Sequence, residues 1–243
     1  MTLPHQPPLQ TERAIAFGFD FDHTLGVDNG LERRALYDYA RELGHPLDPH
    51  DEKIRKRIEA LLADFRAGAT TMNVLIRRFA ELLGVRAASA TAERWSEHCY
   101  ALVDELVRPI EGAVELLASL RARGIPRAIL TNGWTPLQQK KIARALGDES
   151  LGLRILVSDA IHAVKPERAA FEALVRALDV PREQVWYVGD NARGDAGGAL
   201  AAGLRAVWFN WEDQSYPQDL PPPSRTIGAL GELEALIENT IAP

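Results

Sequence analysis

The sequence is poor in cysteine and has no long apolar segment. Its 243 residues include one cysteine, Cys99, which cannot form an intrachain disulfide, so nothing suggests a stapled secreted fold or a thiolate metal site. No stretch approaches the roughly 20 apolar residues that a membrane-spanning helix needs. Residues 1–10 are polar and proline-rich, with neither a basic start nor an apolar run. We therefore expect no targeting segment, no membrane association and a cytoplasmic location.

A strong charge of either sign is also absent. The chain has 28 Lys and Arg against 34 Asp and Glu, a formal net charge of −6. This mild acidity argues against generic nucleic-acid binding, which usually depends on a basic surface. Hydrophobic residues make up 46% and charged residues 26%, values typical of globular domains. The length allows one large domain or two modest ones.

Short apolar runs predict five buried strands. Several of them end directly at polar or acidic residues, as parallel strands do when they open onto a site. The predicted strands cover 14–19, 126–130, 153–157, 184–188 and 205–209.

Helical patterns separate the later strands and fill a long segment after the first one. Strand and helix alternate from about residue 111 onward, with helices at 111–123, from Pro166, and at 195–203. This order predicts an α/β fold with a doubly wound, Rossmann-like parallel sheet. A loop over 210–225 and a final helix over 227–241 should follow. Between 27 and 107 the pattern indicates helices only, at 31–43, 51–67, 70–83 and 91–107.

This helical segment is an insertion above the strand ends, where ligands bind in open α/β sheets. We expect a core domain at 12–26 and 108–243 and an all-helical cap domain at 27–107.

Four separated segments carry polar residues suited to one reaction site. Each is an ordinary feature by itself, but together they follow strand or helix edges in a consistent order. They are Asp20 with Asp22, the turn Thr131-Asn132-Gly133, Lys165, and Asp190 with Asp195.

Phosphoryl transfer explains this set. Clustered carboxylates of Asp20, Asp190 and Asp195 would repel one another unless a cation such as Mg²⁺, which prefers oxygen ligands, lay between them. Lys165 would add positive charge for phosphate oxygens, and the hydroxyl and amides at Thr131 would donate hydrogen bonds. An aspartate two residues from the nucleophile can protonate a leaving alkoxide and later activate water.

The same residues resemble the motifs of the haloacid dehalogenase (HAD) superfamily of hydrolases. The resemblance runs from about residue 14 to 210, and the helical segment resembles the first class of caps in that superfamily. It implies that Asp20 is the nucleophile that forms an aspartyl-phosphate and that Asp22 is the general acid and base. It also implies that the substrate phosphate is bound by Thr131, Asn132, Gly133 and Lys165. The Mg²⁺ site that it implies consists of Asp20, the backbone carbonyl of Asp22, Asp190 and Asp195.

The resemblance leaves the reaction partly open. True dehalogenases of this kind lack the second aspartate, since a halide needs no proton, so Asp22 favours a Mg²⁺-dependent phosphatase of small phosphorylated metabolites. A phosphosugar mutase would keep the same aspartates and is the alternative. A dehalogenase, or a non-catalytic binding protein on the same scaffold, is a weaker alternative. The sequence is compatible with either a monomer or a homodimer.

The other conspicuous side chains are interpreted as packing or surface residues. His23 stands where a small residue is common in the superfamily, and we expect its side chain to pack under the cap. Packing is also expected for Trp95, Cys99, Trp208 and Trp211. The cap arginines are interpreted as a solvated face: Arg33, Arg34, Arg77 and Arg78.

Overall fold

The computed structural model describes residues 15–241. The polar segment 1–10, the first predicted strand residue and the outer domain limits at 12 and 243 lie outside it. Over the described residues, the main sheet has six strands: β1 (Ala16–Phe19), β4 (Arg127–Thr131), β5 (Arg154–Val157), β6 (Val185–Gly189), β7 (Arg205–Phe209) and β8 (Arg225–Ile227). They lie in the order β5-β4-β1-β6-β7-β8, and all neighbouring pairs are parallel.

Helices cover both faces of this sheet. Alternate residues of a strand point to opposite faces, and β1 accordingly contributes Phe17 and Phe19 to one apolar cluster and Ala16 to another. The core helices are α5 (Ala113–Ala122), α6 (Leu137–Leu146), α7 (Ser158–Ile161), α8 (Arg168–Leu178), α9 (Gly198–Ala201) and α10 (Glu232–Ile241). The predicted doubly wound α/β fold is confirmed.

An all-helical cap follows the first strand. The chain leaves the core through β2 (Gly26–Val27) and returns through β3 (Arg108–Pro109), which pair antiparallel as a two-stranded connector. The cap helices bury Leu36, Leu62, Phe79 and Trp95 against one another. They are α1 (Leu31–Glu42), α2 (Glu52–Arg66), α3 (Met72–Leu83) and α4 (Ala92–Leu106).

Besides the short elements β2, β3 and α7, the structure contains two larger features that were not predicted. The segment 137–146 forms α6, and Arg225–Ile227 forms β8 within what the sequence indicated as loop and helix. The last helix therefore begins at Glu232, because Ile227 is engaged with β7 in the sheet. The predicted helix at 195–203 is a π-helical turn, Ala192–Gly197, followed by α9.

None of the helices in residues 15–241 combines the length and the apolar character needed to cross a bilayer.

Candidate active site

Asp20 and Lys165 form a buried ion pair at the carboxyl end of β1. The Lys165 Nζ atom lies 2.7 Å from Asp20 Oδ1 and 2.7 Å from Asp195 Oδ1. All three side chains are buried, because they meet where β1, the loop before α8 and the turn after β6 converge. The Tyr187 hydroxyl accepts a further hydrogen bond from Lys165 Nζ, at 3.1 Å. The ammonium is thus held between a nucleophile candidate and a supporting carboxylate.

Asp190 completes the carboxylate cluster. One oxygen each from Asp20, Asp190 and Asp195 lies within 4.8 Å of the others. The Thr24 hydroxyl accepts from the Asp190 N–H at 3.1 Å and donates to its carboxylate at 3.3 Å. The Trp208 indole N–H donates to the Asp190 carbonyl at 2.8 Å. Backbone and side chain of Asp190 are therefore both fixed from neighbouring elements.

Asp195 has both carboxylate oxygens engaged by the protein. Oδ1 accepts from Lys165, and Oδ2 accepts from the Asn191 N–H at 2.9 Å. The side chain of Asn191 in turn accepts from the N–H groups of Arg193 and Gly194, which shapes the π-helical turn. This geometry supports a role for Asp195 in orienting Lys165 and the turn.

Burial and mutual repulsion raise the pKa values of these acids. Burial, opposed by Lys165 and assisted by Asp195, raises the pKa of Asp20 to about 6. Burial, together with the charges of Asp20 and Asp195, raises the pKa of Asp190 to about 8. The carboxylates outweigh burial at Lys165 and hold the pKa of its ammonium well above the usual range. The site therefore has more negative charge than its ammonium balances.

The donor set fits a divalent cation. Asp20 and Asp195 share the Lys165 ammonium, and Asp190 lies beside them, so the three carboxylates, when all are ionised, leave an excess of two negative charges over that ammonium. Oxygen ligands at this spacing suit Mg²⁺. Asp20 and Asp190 have carboxylate oxygens available to such an ion, whereas those of Asp195 are already hydrogen-bonded.

The turn after β4 holds Lys165 in place. Asn132 donates from its side-chain amide to the Lys165 carbonyl at 3.0 Å and accepts from the Lys165 N–H at 2.8 Å. The Gly133 N–H donates to the Ser158 hydroxyl at 3.0 Å. The buried Thr131 hydroxyl lines the same cavity as Asp20. In this arrangement the Asn132 side chain and Gly133 N–H serve the protein framework, and Thr131 and Lys165 face the reaction site.

Asp22 is held by two residues that the sequence did not single out. Lys141 Nζ lies 2.5 Å from Asp22 Oδ1, and Gln138 Nε2 donates to Asp22 Oδ2 at 2.8 Å. Burial outweighs the Lys141 charge and raises the pKa of Asp22. Both donors lie on α6, whose signal in the sequence is the i, i+3, i+4 spacing of Ile142, Ala145 and Leu146, together with polar residues three positions apart.

A cavity of about 1330 Å³ lies between the core residues and the cap. From the cap it is lined by Arg33, which pairs with Glu59 at 2.7 Å, and by Arg66, which pairs with Glu32 at 2.7 Å. Arg33 is interpreted from the sequence as part of a solvated face, but it also lines the cavity. Of the other arginines singled out, Arg34 and Arg78 form ion pairs on the cap surface, and Arg77 is exposed.

His23 stacks on Trp211 and, contrary to expectation, is not buried under the cap. It is exposed, has a left-handed backbone (φ 59°) and stacks on Trp211, with ring centroids 6.4 Å apart and planes 14° from parallel. The exposed His23 ring also lines the cavity between the core and the cap. Trp211 itself is 43% exposed, whereas Trp95, Cys99 and Trp208 are buried as expected.

The fold and the carboxylate site define a hydrolase class, and the comparisons with known proteins agree. Residues 16–203 match the family model of the haloacid dehalogenase-like hydrolases. The chain is 32% identical over 232 residues to the pyrimidine 5'-nucleotidase YjjG of Escherichia coli, covering 90% of this chain and 96% of that protein. It therefore belongs to the haloacid dehalogenase-like hydrolase family.

Two further relatives extend this comparison. Phosphoserine phosphatase of Thermus thermophilus is 29% identical over 219 residues, which cover 79% of this chain and 86% of that enzyme. The magnesium-bound crystal structure of the HAD hydrolase YfnB of Bacillus subtilis superimposes with a TM-score of 0.73 at 22% identity, covering 93% of this chain and 99% of that one. The second likeness concerns the fold.

Proposed function

We propose that this protein is a Mg²⁺-dependent phosphatase of small phosphorylated metabolites that works through an aspartyl-phosphate on Asp20. The observation that carries the proposal is the buried Asp20–Lys165 pair, beside Asp190, at the core side of the cavity between core and cap. The names of the nucleotidase and phosphatase relatives support the same reaction class.

In the first half-reaction a carboxylate oxygen of Asp20 attacks phosphorus as the bond from phosphorus to the leaving oxygen breaks. Lys165 and Thr131 bind the transferring phosphoryl oxygens and hold them in line with Asp20. Asp22 donates its proton to the leaving alkoxide, which departs as an alcohol. The raised pKa of Asp22 favours the protonated form that this step needs.

In the second half-reaction Asp22 takes a proton from water as the water oxygen attacks phosphorus. The acyl-phosphate bond to Asp20 breaks, and inorganic phosphate leaves. Mg²⁺, held by the carboxylates of Asp20 and Asp190 and the carbonyl of Asp22, would supply positive charge against the phosphate oxygens. Asp195 would support this site through Lys165, and Asn132 and Gly133 would keep the phosphate-binding turn in shape.

We also infer that residues 27–107 act as a cap domain on a core of 12–26 and 108–243. The two-stranded connector at β2 and β3 supports this division, because the chain enters and leaves the helical segment through a single narrow link. Side chains of the cap would choose the substrate and exclude bulk water on closure.

The test is release of inorganic phosphate from a panel of sugar, nucleotide, amino-acid and aryl phosphates with Mg²⁺. Wild-type protein should release phosphate, and Asp20→Asn should lose activity by about 10³-fold or more while keeping its melting temperature. The matched control is Asp148→Asn, an exposed aspartate after α6, which should behave as wild type. Near-native activity in Asp20→Asn would refute the nucleophile assignment.

The same panel separates the alternatives. A mutase would convert a hexose phosphate into its isomer without net phosphate release. A dehalogenase would release chloride from a 2-chloro acid, and a binding protein would release neither.

A further inference from the structure

Lys141 is a buried ammonium shared by two carboxylates. Its Nζ atom lies 2.5 Å from Asp22 Oδ1 and 2.9 Å from Asp28 Oδ2. The Lys141 side chain is 4% exposed, and that of Asp28 is 14% exposed. An ammonium this deeply buried needs its partners, since removing one side of a buried ion pair leaves an uncompensated charge.

The second oxygen of Asp22 is fixed by Gln138, one turn earlier on α6. Gln138 Nε2 donates to Asp22 Oδ2 and to the Thr131 hydroxyl, each at 2.8 Å. Residues three apart on a helix share a face, so Gln138 and Lys141 approach Asp22 together. One helix therefore determines where both oxygens of this carboxylate lie.

Asp28 belongs to the connector through which the chain enters the cap. It follows β2, and its Oδ1 accepts from the Gly30 N–H at 3.1 Å, at the start of α1. The neighbouring Asn29 donates to the Leu106 carbonyl at 2.7 Å, which joins the entry of the cap to its exit. The Lys141 ammonium therefore links Asp22 to the base of the cap.

Helix α6 also contacts the cap directly. Lys140 Nζ donates to the Tyr100 carbonyl at 2.7 Å, and Arg144 donates to the Asp104 carbonyl at 3.3 Å, both on α4. The helix thus carries donors to the reaction site on one face and to the cap on another.

We propose that Lys141 is a positioning residue that couples the cap connector at Asp28 to the orientation of Asp22. The inference rests on the proposed function, in which Asp22 protonates the leaving group. Gln138 holds the other Asp22 oxygen close to Thr131, because its amide donates hydrogen bonds to both. Because one ammonium is shared, a shift of Asp28 with the cap changes the geometry of Lys141 and with it that of Asp22. The orientation of Asp22 is then tied to the position of the cap.

A series of phosphate esters with leaving groups of different basicity tests this role. An alkyl phosphate needs a proton at the leaving oxygen, whereas 2,4-dinitrophenyl phosphate does not. Lys141→Met should lower kcat/KM for an alkyl phosphate by about 10²-fold and for the dinitrophenyl ester by about 3-fold or less. Lys141→Arg, which retains donors for both carboxylates, should recover most of the loss. Lys53→Met, which removes an exposed lysine of α2, should match wild type.

Asp22→Asn, assayed in parallel, separates this inference from the proposed function. It should show the same selective loss, and Lys141→Met added to it should cause little further loss. Suppose that Asp22→Asn lowers kcat/KM mainly for the alkyl phosphate, as expected. The positioning role of Lys141 is then overturned if Lys141→Met lowers kcat/KM equally for both esters, or for neither. A non-selective Asp22→Asn instead overturns the acid assignment itself.

Two further variants complete the test. Asp28→Asn should lower kcat/KM for the alkyl phosphate selectively but less, by about 3- to 10-fold, because Lys141 then has one carboxylate fewer to hold it. Wild-type kinetics in Asp28→Asn would overturn the coupling to the cap.

Should Lys141→Met fail to fold, Gln138→Leu replaces it, since it removes a neutral donor to the same carboxylate. Gln138→Leu must then show the selective loss, and its absence overturns the proposal.

Discussion

The Lys165 ammonium lies 2.7 Å from the carboxylate of Asp20, and the side chains are 4% and 10% exposed. A pair this well buried is electrostatically strong, because water screens it little. The residues are far apart in sequence and meet because β1 is a central strand and the loop before α8 ends above it. The same ammonium is placed to bind phosphate oxygens at the nucleophile.

Lys165→Met is expected to remove both functions. The activity toward any phosphate ester should fall by at least about 10²-fold, because the transferring group loses its positive partner. Stability should fall by about 3 kcal/mol, since Asp20 and Asp195 remain buried without a cation. Steady-state kinetics and urea denaturation measure the two effects, with Lys53→Met as the surface control. Activity within a few fold of wild type would contradict the assignment.

Thr24→Val should weaken Mg²⁺ binding while preserving the shape of the site. Thr24 is fully buried and exchanges two hydrogen bonds with Asp190. Valine has nearly the same volume without the hydroxyl, so the expected cost is about 1 kcal/mol, or roughly a fivefold rise in the Kd for Mg²⁺. Isothermal titration calorimetry measures it, and Thr226→Val on the exposed edge of β8 is the control. An unchanged Kd would show that Thr24 does not orient Asp190.

The effect of Mg²⁺ on stability should depend on pH. Burial raises the pKa of Asp190 to about 8 from its ordinary value of 3.8, so the folded protein holds a proton that the unfolded chain releases. Without metal, the free energy of unfolding should therefore fall as pH rises from about 4 to about 8. Mg²⁺ requires the ionised carboxylates, so the increase in Tm that it produces should grow over that interval.

Thermal melts with EDTA or Mg²⁺ at about pH 5 and about pH 8 test this prediction. Asp190→Asn should lose most of the Mg²⁺-dependent increase in Tm at either pH. An increase of the same size at both pH values in wild type would mean that Asp190 is ionised throughout.

Gly189→Ala should disrupt the site by steric overlap. A Cβ atom at Gly189 would lie 2.4 Å from Asp195 Cγ, a distance that requires Asp195 to move. Because Asp195 holds Lys165 and the Asn191 N–H, we expect activity to fall by about 10-fold or more and stability by about 1–3 kcal/mol. The matched control is Gly231→Ala, where a Cβ atom meets nothing within 4 Å. Wild-type kinetics in Gly189→Ala would show that the turn can shift without consequence.

Sequence reasoning predicted the interior strands because both faces of each are buried, which makes their residues continuously apolar. It missed β8, whose Arg225 and Thr226 are exposed at the edge of the sheet. It also missed α6, where Lys141 and Gln138 are buried despite being polar. A buried polar residue gives no sign of its burial in a hydrophobicity pattern, because its partners come from distant segments.

By itself, the sequence determined the alternation of strand and helix, the helical insertion after β1 and the segments that carry Asp20, Asp22, Thr131, Lys165, Asp190 and Asp195. These are local properties, set by hydrophobic periodicity and by polar residues at strand ends. Only the tertiary structure decided three relationships: Asp195 pairs with Lys165, Asn132 hydrogen-bonds to the Lys165 backbone, and Lys141 forms ion pairs with both Asp22 and Asp28. Those relationships join residues that are 30 or more positions apart in the chain, and folding alone brings them together.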